Sequence, residues 1–232
     1  MDIVRAFTYP FDDRAWVEKL LVTLVITAVA MLLTPLLVGL LGWAALLGYQ
    51  VELVRNWRMD IPNPLPTWSD FSRLINAGVY PMLALIFYQI PNFIISGTIF
   101  VLGQGLDAGV VGSALTLFFS CCMLPILVAY NAISLPMYGL ATGRFVDSPR
   151  LGVYFEIGYL LVTLRDHLST AILYLIFLVI ASLILGFLGA LTIGVVPLAM
   201  GIAVFGALNG QLATEILGKP KRDAEPNKAK RR

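Results

Sequence analysis

Residues 20–50 read LLVTLVITAVAMLLTPLLVGLLGWAALLGYQ, without one charged side chain. In the whole chain 13% of residues are charged, whereas soluble domains average about 25%. A helix satisfies its own backbone hydrogen bonds in lipid, while a membrane β-barrel shows segments of about ten residues with alternating polarity, a pattern not seen here. The sequence therefore predicts an all-α fold of the polytopic helical membrane class.

The basic residues predict how the chain is oriented. All sixteen Lys and Arg residues lie outside the apolar stretches 20–54, 78–142 and 168–217. If each stretch crosses the membrane and returns, every basic cluster lies in one compartment. Because cytoplasmic loops retain Lys and Arg, we expect that compartment to be the cytoplasm, with the N and C termini both cytoplasmic.

Segment length predicts about six transmembrane helices in three hairpins, since a crossing needs about 20 apolar residues. The expected crossings are 17–33, 35–55, 79–102, one within 109–142, 168–188 and 193–217. Residues 109–142 exceed one simple crossing, and Pro125 and Pro136 should kink or break the helix. Charge parity favours one crossing plus an extra segment at 109–124, either a tilted extension or a re-entrant piece.

Three of the predicted crossings share a pattern, in which glycine follows proline by 13 or 14 residues and a basic residue comes next. The three sets are Pro35, Gly48 and Arg55; Pro125, Gly139 and Arg144; and Pro197, Gly210 and Lys219. The pattern indicates an internal repeat. The alternative is that any such crossing starts well with proline and ends well with a basic side chain that reaches the headgroups.

Aromatic residues predict amphipathic helices in the headgroup layer. One should begin after Thr67 and run over residues 68–78, with Asp70 placed nearly as in a capping box, and another should begin at Ser148-Pro149 and continue past residue 158. The candidate interfacial binding face consists of Trp16, Trp68, Phe71, Tyr154 and Phe155. The alternative is that these side chains only anchor the crossings as an aromatic belt.

A second candidate site is a polar intramembrane cluster. Gln89, Asn92 and Ser96 fall on one helical face around Pro91, and Asn131 lies in a neighbouring crossing. Hydrogen bonding between helices is one interpretation, because amide side chains bond across helices in lipid. A polar cavity for a substrate is the other.

Charged residues in or near the crossings have local explanations. Glu52 precedes Arg55 by three residues and Glu215 precedes Lys219 by four. These spacings are typical of ion pairs on one helix, so neither carboxylate predicts proton coupling.

We find no pattern typical of catalysis or of metal or cofactor binding. Cys121 and Cys122 are adjacent in an apolar run, and we interpret them as small packing residues. His167, the single histidine, cannot build a metal site alone. We therefore expect no catalytic residue, no metal and no cofactor, and we expect that the protein is not an enzyme.

The domain organisation is expected to be simple. Residues 1–218 should form one transmembrane helical domain. Residues 219–232 are rich in Lys and Arg and should be a disordered cytoplasmic tail that marks topology and does not bind nucleic acid.

Two motifs together resemble a known family. They are Tyr9-Pro10-Phe11-x-Asp13 followed by Trp16, and Gly48-Tyr49 with Arg55 leading into Pro-x-Pro-x-Trp68-x-Asp70. They are similar to a prokaryotic integral membrane family catalogued only as a domain of unknown function, over about residues 5–217. The resemblance implies a bundle of about six helices in a prokaryotic cytoplasmic (inner) membrane, and it implies no activity or catalytic residues.

Two functions remain open. The first is a non-catalytic membrane protein that acts by association with membrane lipids, with another membrane protein or with itself, in an accessory, assembly or membrane-organising role. The second is a small permease, channel or lipid-moving protein, favoured by the repeat and by the proline-containing crossings.

Overall fold

The computed structural model describes residues 1–62, 64–105 and 109–219, and within these ranges the fold is all-α, with no strand. The helices are α1 Ile3–Thr8, α2 Trp16–Leu33, α3 Gly39–Arg58, α4 Phe71–Gly105, α5 Gly109–Asp147, α6 Ile157–Asp166, α7 Leu168–Leu191 and α8 Val195–Leu217. Short 3-10 turns occupy Tyr9–Asp12, Thr34–Leu36 and Leu151–Phe155. The prediction of a polytopic helical membrane protein is confirmed.

Within the described residues, five segments are long and apolar enough to cross a membrane. They are Trp16–Leu36, Phe71–Val101, Thr116–Asp147, Leu168–Leu191 and Val195–Leu217. The remaining predicted crossing, 35–55, corresponds to α3, whose 20 residues span about 30 Å as a helix. α3 is less apolar than the others because it includes Gln50, Glu52, Arg55 and Arg58.

α3 occupies the centre of the bundle, in contact with α2, α4, α5 and α8. Its residues 44–51 are all buried. Since protein rather than lipid surrounds this helix, its polar residues do not have to be transferred into hydrocarbon. That position explains how α3 keeps a composition that the surrounding helices do not have.

Two glycines set the distance between α3 and α4. A Cβ atom at Gly48 would lie 1.8 Å from the Leu74 carbonyl oxygen, and one at Gly78 would lie 1.7 Å from the Ala44 carbonyl oxygen. Small residues permit such backbone contact between helices in lipid. The two helices therefore meet backbone to backbone, which side chains larger than hydrogen at these positions would prevent.

The middle apolar stretch folds differently from the prediction in two respects. Residues 68–78 do not form a separate amphipathic helix: α4 begins at Phe71, because the Asp70 carboxylate, rather than Thr67, accepts from the Arg73 backbone N–H at 2.9 Å. Residues 109–124 are the first part of α5, which continues through Pro125 and Pro136 without a break. The extra segment is therefore a helical extension rather than a re-entrant piece. Residues 106–108 lie outside the described residues.

The connector after α5 also corrects the prediction of one helix from Ser148-Pro149. It forms a 3-10 turn, and α6 starts only at Ile157. The Tyr88 hydroxyl donates at 2.8 Å to the Tyr154 carbonyl, which a continuous helix would use for its own ladder. Tyr154 is fully buried, and burial raises the pKa of its hydroxyl well above the ordinary value.

Ends of three helices meet around one buried cation. The Arg58 guanidinium, 1% exposed, donates to the carbonyls of Gly143 and Gly218 and to the Asp147 carboxylate, at 2.8 to 3.1 Å. The carbonyls at helix C-termini carry partial negative charge. Arg58 thus joins the C-terminal ends of α3, α5 and α8, which we call the charged end of the bundle.

The N-terminal segment packs against this same end. The Tyr9 hydroxyl donates at 3.1 Å to the Ala203 carbonyl, and its ring meets Trp57 edge to face. Burial raises the pKa of the Tyr9 hydroxyl well above its ordinary value. At the other terminus α8 ends at Leu217. Residues 220–232, most of the predicted basic tail, lie outside the described residues.

Candidate functional site

The structure joins three of the four residues of the predicted polar cluster. The Asn131 amide donates to the Asn92 oxygen at 2.8 Å, and the Asn92 amide donates back at 3.0 Å. Asn92 also donates to Gln89 at 2.6 Å. Ser96 is exposed on the next turn of α4.

These contacts favour the first interpretation of the cluster. The two asparagines satisfy each other across α4 and α5, and Asn131 donates in addition to the Leu127 carbonyl of its own helix. Nearby, the Tyr130 hydroxyl donates to the Tyr88 carbonyl at 2.7 Å. We interpret the pair as a clasp between two helices, since amide groups already bonded to each other have little capacity left for a ligand.

The predicted interfacial face is not one surface. Tyr154 is fully buried, and Trp68 is half-buried, with its ring stacked on Tyr49 at 4.5 Å. Trp16, Phe71 and Phe155 are 37 to 42% exposed. Phe155 contacts Phe87 of α4 edge to face. The structure therefore leaves three of the five aromatic residues available at the surface.

A further site is a central cavity of about 560 Å³ among α3, α4, α5, α7 and α8, and Gln89 is the one residue of the predicted polar cluster that lines it. Its volume lies in the range of ligand pockets, about 300–1,000 Å³. The walls are mainly apolar, with the side chains of Leu47, Leu85, Leu135, Leu178, Ile202 and Phe205 among them.

A few polar side chains also face the central cavity. The Tyr174 hydroxyl donates at 2.7 Å to the Asn209 amide oxygen, which fixes both groups across α7 and α8. Gln50 of α3 lines the same cavity, and its residue exposure is 6%. Its amide makes no hydrogen bond to any residue that the structure describes. Gln50 therefore offers both a donor and an acceptor inside an apolar space.

The charge of the central cavity limits what it can hold. None of the described residues that line it is acidic or basic. Moving an unpaired charge from water into such surroundings costs on the order of several kcal/mol, even after the protein relaxes around the charge. The cavity is therefore suited to an uncharged molecule with a large apolar part and a few hydrogen-bonding atoms.

The described residues offer no metal site. They contain no group of three or more His, Cys, Asp or Glu side chains that could hold a metal ion. Cys121 and Cys122 are exposed on α5, so the interpretation of both as packing residues was wrong. The outer half of α5 has few neighbours in the bundle, a feature that hydropathy alone does not reveal.

Comparison with known proteins places the chain among relatives without an assigned activity. Residues 31–194 match DUF4013, a family described as "Protein of unknown function". The chain belongs to this family. The DUF4013 region contains Gln50 and Gln89 but not Asn209, and the Tyr9 to Trp16 motif lies outside it. No curated protein and no solved structure matches the chain.

Proposed function

We propose that this protein is a non-catalytic membrane protein that acts by association, and that it binds an uncharged amphiphile, such as the chain region of a membrane lipid, in the central cavity. The observation that carries the proposal is the unpaired Gln50 amide in that mainly apolar space. We further propose that the charged end of the bundle faces the cytoplasm of a prokaryotic cell.

The state of Gln50 supports a ligand because its amide opens onto a mainly apolar cavity without a hydrogen-bond partner from the described residues. Buried polar groups in proteins are nearly always hydrogen-bonded, so a ligand that fills the cavity must supply a partner for this amide. Asn209 in the same cavity has Tyr174 as a partner, whereas Gln50 has none among the described residues. A carbonyl, ester or hydroxyl group of a bound amphiphile would satisfy the Gln50 amide.

The lining supports a binding role rather than catalysis. A hydrolytic or transfer reaction needs a nucleophile close to a base, or paired carboxylates. The cavity instead presents leucines, isoleucine and phenylalanine around neutral amides and hydroxyls. Binding and release of a neutral amphiphile need no more than these groups.

A photoreactive lipid tests this proposal. The full chain is reconstituted with a phosphatidylcholine carrying a diazirine near the end of one acyl chain, and labelled residues are located by mass spectrometry. We expect labelling of cavity residues such as Ile202, besides residues that face lipid. Leu178→Trp, which fills the cavity, should abolish labelling of Ile202.

The matched control is Leu183→Trp on the same helix. Leu183 is 69% exposed and does not line the cavity, so this variant should label like the native protein. Labelling of Ile202 that persists in Leu178→Trp, or no labelling of the cavity at all, would contradict the proposal.

Association with a membrane protein, or with a second copy, is the second candidate. Between Tyr88 and Ser134, no residue whose exposure the structure describes is buried. Cys121 and Cys122 lie on this surface. A bis-maleimide should cross-link neighbouring copies in native membranes if the outer halves of α4 and α5 pair with a second chain, and the serine double variant is the control.

A transport role is the alternative proposal, and fewer observations support it than support binding of an amphiphile. A polar pathway would need accessible amides, but Asn92 and Asn131 bond each other. The central cavity favours a lipid-moving protein over an ion channel within that class. Liposome assays that detect lipid scrambling but no ion flux would support this alternative.

A further inference from the structure

A second cavity, of about 460 Å³, lies at the charged end between the beginnings of α2 and α4 and the residues 65–67. Its lining differs from that of the central cavity, because it includes Arg14, Lys19 and Arg73 as well as Asp13 and Glu52. Which of these charges have partners decides what the cavity can bind.

Both acidic residues of this lining are already paired. Asp13, 3% exposed, accepts from Lys19 at 2.7 Å, and Lys19 also donates to the Leu65 carbonyl. Glu52 pairs with Arg55 at 2.9 Å. The carboxylates therefore neutralise Lys19 and Arg55 rather than the two remaining arginines.

Arg14 and Arg73 have no acidic partner among the described residues. Asp70, close to Arg73 in sequence, accepts instead from the Arg73 backbone N–H. Glu18 lies four residues after Arg14 and forms no ion pair with it. Two guanidinium groups thus line one cavity without a counter-charge, an arrangement suited to bidentate binding of a phosphate.

The surroundings of this cavity indicate its depth in a membrane. Trp16 and Phe71, the first residues of α2 and α4, are 37% and 42% exposed. Amphipathic aromatic side chains concentrate at the level of the headgroups. The two arginines are therefore placed where phosphate groups of lipids lie.

We propose that Arg14 and Arg73 form a binding site for a phosphate monoester or diester, the group shared by anionic phospholipid headgroups and small phosphorylated metabolites. The site stands on observations independent of Gln50 and of the central cavity, so either assignment can fail alone.

The test is a titration of the purified full chain in neutral detergent. The probes are phosphatidic acid in mixed micelles, diacylglycerol with the same chains but no phosphate, and glycerol 3-phosphate with the head but no chains. We expect phosphatidic acid to bind and diacylglycerol not to bind at this site. Binding of glycerol 3-phosphate would identify a soluble source of the phosphate, and its failure to bind would identify the lipid.

The variant Arg14→Gln/Arg73→Gln should weaken binding about 10- to 30-fold, given the usual contribution of each basic residue near anionic lipid. Both side chains are exposed, so the fold should persist, and Arg14→Lys/Arg73→Lys should recover part of the affinity. The control Arg150→Gln/Arg165→Gln removes the same charge from the connector after α5 and from α6. Equal losses in both glutamine variants, no loss in either, or equal binding of diacylglycerol would overturn the proposal.

Discussion

The Arg58 guanidinium donates a hydrogen bond of 2.9 Å to the carboxylate of Asp147, which lies 89 residues further along the chain. The two side chains differ in their surroundings, since Arg58 is 1% exposed and Asp147 is 40% exposed. The Arg58 guanidinium also donates hydrogen bonds to the carbonyl oxygens of Gly143 and Gly218. One cation therefore satisfies the ends of three helices, which orders the charged end of the bundle.

Replacing this cation should destabilise the protein more than replacing a neighbouring one. Arg58→Lys cannot reach three acceptors at once and should lower the free energy of unfolding by about 2–4 kcal/mol, as for removal of one partner of a buried pair. The control is Arg55→Lys on the same helix. Arg55 is 37% exposed, so its loss should stay within about 0.5 kcal/mol. Thermal unfolding in detergent would measure both, and equal shifts would contradict this account of Arg58.

The contact between α3 and α4 makes a second prediction. Gly78→Ala places a methyl group 1.7 Å from the Ala44 carbonyl oxygen, so the helices must separate. We expect a loss of about 3 kcal/mol or failure to assemble, the upper range for overpacking. Gly186→Ala on α7 meets no atom within 4 Å and should be neutral or stabilising by up to about 1 kcal/mol. Size-exclusion profiles and unfolding curves that are the same for the two variants would refute the backbone contact.

The asparagine clasp is best tested by a double-mutant cycle. Asn92→Leu leaves Asn131 with only the Leu127 carbonyl, and Asn131→Leu leaves Asn92 with only Gln89, whereas the double variant removes both groups. The coupling between two polar residues in a membrane bundle averages about 0.6 kcal/mol and reaches about 1.7. We expect a favourable coupling in that range, with the double variant nearly as stable as the native protein. Additive losses would mean that each amide acts separately, as in a polar substrate path.

Alkaline pH should weaken the attachment of the N-terminal segment. Because the folded protein holds the pKa of Tyr9 well above its ordinary value, the stability that depends on the neutral hydroxyl is complete below about pH 10, the unfolded pKa. This stability decreases as the pH rises beyond that value, because the Tyr9 hydroxyl then ionises readily in the unfolded state but not in the folded state. Tyr9→Phe should lose about 1 kcal/mol at neutral pH, the usual contribution of one hydrogen bond, and should show a smaller further loss in alkaline solution.

Stability of the native protein, of Tyr9→Phe and of Tyr159→Phe, measured from pH 7 to 11, would check this prediction. Tyr159 is 50% exposed on α6 and serves as the control. A Tyr9→Phe variant that follows the native profile throughout would show that the Tyr9 hydroxyl does not limit stability.

Sequence reasoning succeeded where the determining interactions are local. Apolar runs predicted the long helices, and the three-residue spacing of Glu52 and Arg55 predicted their ion pair, which the structure confirms at 2.9 Å. The same reasoning was wrong for Glu215 and Lys219, because Lys219 pairs with Asp60 from a distant connector at 3.1 Å. Spacing along one helix cannot show which other connector lies nearby.

The candidate sites required the three-dimensional arrangement. Tyr154 was assigned to an interfacial face because it is aromatic and lies in a connector, yet the Tyr88 hydroxyl and the surrounding helices bury it. Gln50 is one polar residue at the end of an apolar run, which by itself indicates no site. Its lack of a partner becomes visible only when α3 packs against α4, α5 and α8.

The most direct test of the central claim is to extract the native protein, Leu178→Trp and Leu183→Trp into native-lipid nanodiscs and identify every bound molecule by mass spectrometry. If the central cavity holds an amphiphile, the native protein and Leu183→Trp will retain one uncharged amphiphile in a fixed ratio, and Leu178→Trp will lose it. Retention of the same molecules by all three, or of a stoichiometric protein instead of an amphiphile, would contradict the assignment of the central cavity as the functional site.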